Sequence, residues 1–497
     1  MKRGRFYPAE SCDVEFEIDG GKGRIEPGEL YSLQAECGTF GKLALFGRHS
    51  RARLACLKVF DAEADVDGEP PDDIVAEAEA LEAQGGRYAP AYICLGKALG
   101  EDDGLYHWAI AMEYLEGYRS IESMVVARGG TLDSGRDHAA ERTCTLLVEI
   151  AKAIRSIHSS GHVHRDLSPR NILVKGVEDG SEDIRVIDFG QSTQRFDYMG
   201  TTGGARPHLG TPGFTAPEIF DLAALRGRGS QATSSFSLGA LAYFIASGQA
   251  PFELEFDSEN QRYRQQMEHC RRADESPVTI EHFCRMARIE REPIPLNDDA
   301  IRIFSSDAKA RSTLLLIDAC THGKPFARPT MDEAIHILEG TRDSVENVVP
   351  GIPMAAPRSQ ALYRSALDEY ANGDDAEPCN RRVSAVSAIS AAGGNADGAL
   401  LAGAALERIG DGFPTASLSM GFYRMAADAG SDTAKTCVAR LLLDHQGTED
   451  DLAEALRLLT EAAASGNAYA KRTIDQLAAC NPAIRTSPNR TKAKEQR

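Results

Sequence analysis

Between Tyr31 and Arg119 the hydrophobic positions fall in short β-type runs, "KLALFG" and "RLACLKVF" among them. One helical segment, "DDIVAEAEALEAQ", interrupts these runs. From Asp137 to Leu338 the spacing is mainly helical, broken by a Gly/Thr/Pro-rich stretch between Asp188 and Pro217. Residues 1–30 read as an N-terminal extension, in which "VEFEIDGGKGRI" alternates polar and apolar around a Gly-rich turn and predicts a small hairpin. A strand-rich half followed by a helix-rich half predicts an α+β fold of two lobes, β-rich then α-helical, with a cleft between them.

A boundary follows. "VVPGIPMAAPRS" gathers Pro350, Pro353 and Pro357, which end helices and stiffen a linker over 342–358. Beyond it the chain is Ala-rich and repeats: "AADAGSDTAK" from Ala426 matches "AAASGNAYAK" from Ala462 at a period of 36. Stepping back by the same period sets Gly394 on Gly430 and Ser390 on Ala426. Gly430 and Gly466 each follow a helical run, where a left-handed capping residue is expected. Small residues at Gly398, Ala434 and Ala470 predict close helix approach in adjacent repeats. The period implies stacked helical hairpins over 359–480, a solenoid in which no repeat buries its own face. The tail 481–497, with "RTSPNRTKAKEQR", reads as a basic, solvated, disordered end.

Composition narrows the classes. A net charge of −19 opposes binding to nucleic acid or to an anionic membrane, so no partner of either kind is expected. The 11 cysteines contain no C-x-x-C pair, which excludes a zinc cassette and a disulfide framework. No apolar run follows the basic start, and the stretch around "SLGALAYFIASG" is too short to span a bilayer, which needs ~20 residues. A cytoplasmic location is the expectation.

The chemistry lies in "HRDLSPRN" and in "DFG", which follows the apolar run "IRVI". Asp166, Asn171 and Asp188 supply two carboxylates and a carboxamide, the set that phosphoryl transfer from ATP requires. Asp188 and Asn171 are oxygen ligands suited to magnesium, and Asp166 would accept the hydrogen bond of an incoming hydroxyl. Lys58 ends "LACLK" on a predicted strand, and a Lys that clasps phosphates needs a carboxylate to fix its long side chain. Glu77 is the expected partner; Glu79 competes but points elsewhere on the helix, and Glu77 shares its face with Leu81. In "ECGTFGKL", Gly38 and Gly41 free the backbone to approach phosphate oxygens.

In this order of motifs, continuing through "GTPGFTAPE" to "KPFARPT", residues 31–341 resemble a eukaryotic-type (Hanks-type) serine/threonine protein kinase domain. Residues 359–480 resemble Sel-type helical repeats, relatives of the tetratricopeptide family, which implies a surface for a protein partner. The kinase resemblance implies ATP and Mg as cofactors and a protein substrate. It makes Asp166, Lys58 and Asn171 catalytic, with Asn171 and Asp188 holding the metal. It places Gly38, Gly41, Lys58 and Glu77 around the phosphates, Leu43, Cys56 and Leu173 around the adenine, and Glu113 to Leu115 as the hinge behind a Met112 gatekeeper. It pairs Glu218 with Arg328 and sets Thr211 against Asp166, the pattern of Ser/Thr rather than Tyr specificity. Arg165 would receive an activation-loop phosphate; Ser192, Tyr198, Thr201 and Thr202 are the candidate acceptors, and Pro207 sits where the family's phosphosite often falls.

Three positions depart from that pattern. Glu36 replaces the first loop glycine, Ser234 replaces the Asp that steadies the catalytic loop, and Ser168 replaces a Lys whose charge serves the transferred phosphoryl group. Arg170 offers a cation two positions on from Ser168. Two other readings compete. One is a nucleotide-binding pseudokinase scaffold; the other is a small-molecule kinase, against which the "GTPGFTAPE" segment and Arg328 argue.

Overall fold

The computed structural model describes residues 5–8, 14–18, 21–25, 31–37, 42–47, 55–64, 68–99, 105–127, 139–176, 182–191, 193–194, 211, 213–216, 218, 230–248, 251, 254–255, 288–289, 308–339, 351–373, 377–409, 415–444 and 448–480, with side chains for most of those from residue 56 onward. Gly38, Gly41, Ser192, Tyr198, Thr201, Thr202, Pro207 and the tail 481–497 lie outside that description. The chain divides into two compact units, residues 1–304 with 320–335, and residues 305–319 with 336–497. The structural division therefore groups 305–319 with the C-terminal helices, inside the stretch that the motifs assign to the kinase-like region.

The first unit opens with β1 (Arg5–Pro8), β2 (Val14–Ile18) and β3 (Gly21–Ile25). β2 and β3 form the expected hairpin, Val14 opposite Ile25 and Ile18 opposite Gly21. β4 (Tyr31–Cys37), β5 (Lys42–Gly47), β6 (Ala55–Glu63), β7 (Tyr92–Leu99) and β8 (Tyr106–Glu113) continue an antiparallel sheet. Its order is β1-β4-β5-β6-β8-β7, closed into a barrel because β1 pairs with both β4 and β7. Part of the stretch read as an extension is thus a strand of this lobe, because the sheet's two edges would otherwise expose unpaired backbone.

Between β6 and β7 lies α1 (Asp72–Glu82). Asp72 and Asp73 place negative charge in its first turn, which suits the positive end of the helix. Ile74, Glu77, Ala78 and Leu81 are buried at the spacing of one helical face. A carboxylate on that stripe is out of keeping with an apolar face, so it requires a partner.

The helical lobe follows. β9 (Arg119–Ser120) and α2 (Ile121–Ala127) lead to α3 (Ala139–Ser159), 21 residues long. Then come β10 (His162–Val163), β11 (Ile172–Gly176), β12 (Glu182–Val186) and β13 (Thr193–Gln194). α4 (Gln231–Ser247) is buried all round from Thr233 to Ala246. Its serines tolerate this by bonding backbone carbonyls: Ser237 Oγ donates to Phe214 O at 2.9 Å and Ser235 Oγ to Gln231 O at 3.2 Å. Arg328, fully buried, forks onto Glu218 with Nη1 2.6 Å from Oε1 and Nη2 2.9 Å from Oε2. Its Nε and Nη1 also donate to His322 O and Ala232 O, so one guanidinium joins three stretches of chain.

The second unit contains α5 (Ala308–Cys320), the end of α6 (Met331–Glu339), and α7 (Ala356–Asn372), α8 (Glu377–Ala392), α9 (Ala396–Arg408), α10 (Thr415–Asp428), α11 (Asp432–Asp444), α12 (Glu449–Ala464) and α13 (Ala468–Cys480). From α7 onward each helix packs on the next. Gly394, Gly430 and Gly466 have φ of 87°, 96° and 101°. Each is followed by a residue whose N–H reaches back five positions: Asn395 to Ser390 O, Ser431 to Ala426 O and Asn467 to Ala462 O. This is a Schellman cap repeated three times at the period of 36. The same Asn395, Ser431 and Asn467 then cap the next helix, their side chains accepting from the N–H groups of Gly398, Ala434 and Ala470. Ala434 and Ala470 are fully buried, and a Cβ on Gly398 would lie 2.8 Å from Ser390 Oγ. No helix among the described residues is long and apolar enough to cross a membrane.

Two changes test this packing. A Cβ on Gly403 would sit 2.7 Å from Tyr423 Cε1, and Tyr423 is held by its hydroxyl donating to Glu407. Gly403→Ala should cost about 1–3 kcal/mol, and Gly351→Ala, with open space around it, less than about 0.5, read by scanning calorimetry. Glu218→Ala strands a buried guanidinium and should destabilise the first unit by about 3–5 kcal/mol. A loss below about 1 kcal/mol would show that the pair does not brace the lobe.

Candidate active site

Three elements bring three charges to one point. Lys58, on β6, lies opposite Leu43 of β5 and Ile110 of β8. Its Nζ is 2.6 Å from Glu77 Oε1 on α1 and 2.7 Å from Asp188 Oδ1, just past β12. Lys58 and Glu77 are 12% and 5% exposed, whereas Asp188 is 35% exposed, so only one carboxylate of the triplet faces outward. Burial pulls the Lys58 ammonium down, but Glu77 and Asp188 outweigh it and hold its pKa above the usual range. Burial pushes Asp188 up, and Lys58 more than reverses this, keeping the carboxylate ionised below its ordinary value. Glu79 is exposed and takes no part.

Gly190 explains itself here. A Cβ at that position would lie 3.0 Å from Glu77 Oε2 and 3.5 Å from Asp188 Oδ1, so a side chain would press on the ion pair.

Asp166 is anchored from both oxygens. Thr211 Oγ1 donates to Oδ1 at 2.7 Å, and Asn171 Nδ2 donates to Oδ2 at 3.1 Å and to the Asp166 carbonyl at 2.8 Å. With its nitrogen so used, the Asn171 amide presents its oxygen elsewhere. His164 couples this group to Asp188. Its Nδ1 accepts from the Asp166 N–H at 3.3 Å and its Nε2–H donates to Ile187 O at 3.0 Å, which fixes a neutral tautomer. Burial holds its pKa low, in keeping with that tautomer, and its ring meets Phe189 edge-on at 4.9 Å. His164 was legible only as the first letter of H-R-D, without a role.

Arg165 and Asp188 both have positive φ, 68° and 67°. Residues with side chains rarely adopt this region, so both positions hold strained backbone beside the charge cluster. Burial lowers the pKa of the Arg165 guanidinium, and its Nε has no hydrogen-bond partner among the described residues.

The adenine-side expectations are placed as follows. Cys56 pairs with Leu45 and Met112, and is half-buried. Met112 is 9% exposed; Leu173 and Leu115 are half-buried. Glu113 binds Ala91 twice, its N–H donating to Ala91 O and its carboxylate accepting from Ala91 N, so its side chain serves the strand end. Leu43 and Glu36 stand at strand positions, Glu36 opposite Ala44, with side chains outside the described set.

The departures resolve differently from one another. Ser234 Oγ is 3.0 Å from His158 Nε2, so the residue in place of the expected Asp is tied to α3 instead. Ser168 is 1% exposed, and its hydroxyl has no partner among the described residues. Arg170 does not replace the missing cation: its Nε sits 2.8 and 2.9 Å from the two oxygens of Glu122, and its side chain is 67% exposed. Neighbouring positions on a loop point to different sides, which spacing alone did not show.

The model of the family described as "Protein kinase domain" matches residues 37–337. The serine/threonine-protein kinase AfsK of Streptomyces griseus is 43% identical over 108 residues, 22% of this chain and 12% of that protein. The calcium/calmodulin-dependent protein kinase cmkB of Emericella nidulans is 36% identical over 118 residues, 23% of this chain and 26% of that one. The death-associated protein kinase dapk-1 of Caenorhabditis elegans is 33% identical over 123 residues, 23% of this chain and 8% of that one. Each match thus spans about a quarter or less of the relative's own length. With the family match covering some three-fifths of its length, the chain belongs to the protein kinase domain family.

Proposed function

We propose that this chain is a serine/threonine protein kinase that transfers the γ-phosphoryl group of ATP to Ser or Thr hydroxyls. The observation that carries the proposal is the single ammonium of Lys58 held between Glu77 and Asp188. That arrangement leaves a fixed positive charge for phosphate oxygens beside an outward carboxylate. Asp166, steadied by Thr211 and Asn171, accepts the proton of the incoming hydroxyl and aligns its oxygen. The names of the relatives, one of them a serine/threonine-protein kinase, support the same class.

The residues present fit a magnesium ion. Among the described residues no three His, Cys, Asp or Glu side chains converge as a metal cage. Asp188 and the Asn171 amide oxygen offer two hard ligands, which matches an ion that takes its remaining ligands from phosphates and water. When bound, magnesium neutralises charge on the phosphates; Asp188 and Asn171 would hold it.

The C-terminal helices read as Sel-like repeats forming a solenoid that binds a protein partner. The three Schellman caps at one period support this reading. Arg165, a cation with no carboxylate partner among the described residues, is the group that an activation-segment phosphate would meet. The enclosed Ser168 favours a second reading, a nucleotide-binding scaffold with little turnover, because Arg170, the cation two positions on, turns to Glu122 and does not stand in for the missing Lys.

Phosphate transfer from labelled ATP to the chain itself and to a generic protein substrate separates the two. Asp166→Ala should lower the rate ~10²–10⁴-fold and Lys58→Met ~10²–10³-fold. Arg170→Ala should change it less than about fivefold, the scale of an exposed ion pair. Wild type and Asp166→Ala equally inactive, with ATP still bound, would establish the scaffold.

A further inference from the structure

The helix that supplies Glu77 ends in an unusual joint. The last four carbonyls of α1 would be orphaned without added donors. Here each has one. Ala83 N–H reaches Glu79 O at 3.0 Å, Gln84 N–H reaches Leu81 O at 3.2 Å and Gly85 N–H reaches Glu82 O at 3.0 Å. The remaining carbonyl, Ala80 O, accepts from the Gln84 side chain, Nε2 at 3.1 Å.

The end of α3 repeats the device. Ser160 N–H reaches Ser156 O at 3.0 Å and Gly161 N–H reaches His158 O at 3.1 Å, while Ser160 Oγ donates to Ile157 O at 2.7 Å. The two capping side chains then meet. Gln84 Nε2 donates its second hydrogen to Ser160 Oγ at 2.8 Å, and His162 Nδ1 lies 3.2 Å from the same oxygen.

Proton counting fixes the pattern. Ala80 O only accepts, so the Gln84 amide nitrogen must face it. The lone hydrogen of Ser160 goes to Ile157 O, its shorter contact, so His162 Nδ1 must carry a hydrogen and donate. Gln84 is 7% and His162 7% exposed, and Gln84 Oε1 is buried without a partner among the described residues. An amide whose oxygen is left unsatisfied in a buried place is costly, so this one is not held by solvation of its own.

Gln84 lies seven residues beyond Glu77, in the turn just past the last residue of α1, and like Glu77 it is buried. Glu77 points at Lys58 in the β-rich lobe, and Gln84 points at Ser160 in the helical lobe. We propose that Gln84, Ser160 and His162 form a latch of joined helix caps that holds α1 in the register where Glu77 meets Lys58. They are positioning residues for phosphoryl transfer and touch no reacting atom. Swinging α1 away requires breaking a cap on each helix together with the bond between them. This rests on the kinase reading for its effect on rate, and on geometry alone for its effect on α1.

The test uses the full chain and two readouts. Ser160→Ala and Gln84→Leu should each speed amide exchange of peptides covering residues 72–82 by about three- to tenfold, the scale of one hydrogen bond, and lower kcat by a similar factor. Exchange in α4 should not change, and the double variant should fall short of the product of the single effects. Ser160→Thr, which keeps the hydroxyl, should restore both readouts. Unchanged exchange at 72–82 in both single variants would overturn the proposal, as would equal acceleration in α4, which would mark general loosening. If the wild type transfers no phosphate, the kinase reading falls while the exchange data still decide the latch.

Discussion

A lysine ammonium placed where water scarcely reaches must be neutralised or lose its proton. In this chain two carboxylates answer that demand, and they come from a helix and from a loop of the other lobe. The position of α1, the aim of Asp188 and the need for a glycine at 190 all follow from satisfying one charge. Asp188 is the exposed member, so the cluster ends in a negative group that faces outward, while the cation behind it stays fixed. Preorganised charge of this kind costs little rearrangement when a charged ligand arrives.

The strain is confined to the same place. Arg165 and Asp188 occupy left-handed backbone, and both adjoin the His164 imidazole that ties their loops together. A buried fork, Arg328 on Glu218, braces the chain downstream of Thr211. Rigid supports around a strained centre are what keep such backbone from relaxing.

Much of this was legible in the sequence. That Lys58 would meet Glu77 and Asp188, and Asp166 meet Asn171, was readable because opposite charges and polar groups in this motif order need one another as partners. The choice of Glu77 over Glu79 was readable because a helix shows its faces through spacing. Arg170 was not: it sits two residues from Ser168, yet its guanidinium turns to Glu122, since loop residues obey no fixed period. Ser234 kept a hydrogen bond but exchanged its partner for His158, which no local pattern announces. β1 was read as part of an extension, because a four-residue strand carries too little periodicity to reveal that it closes a sheet. Gln84 and Ser160 lie 76 positions apart, and only the fold brings them together.

The glycine turns at 394, 430 and 466 share one set of backbone bonds and hand the chain to the next helix through an equivalent polar cap. Cutting the gene at any two of them and rejoining it would remove whole periods yet leave a turn of the same bonding at the seam. The array's length is therefore free to drift through in-frame duplication or deletion, at a rate decoupled from the constraints on the Lys58 charge cluster.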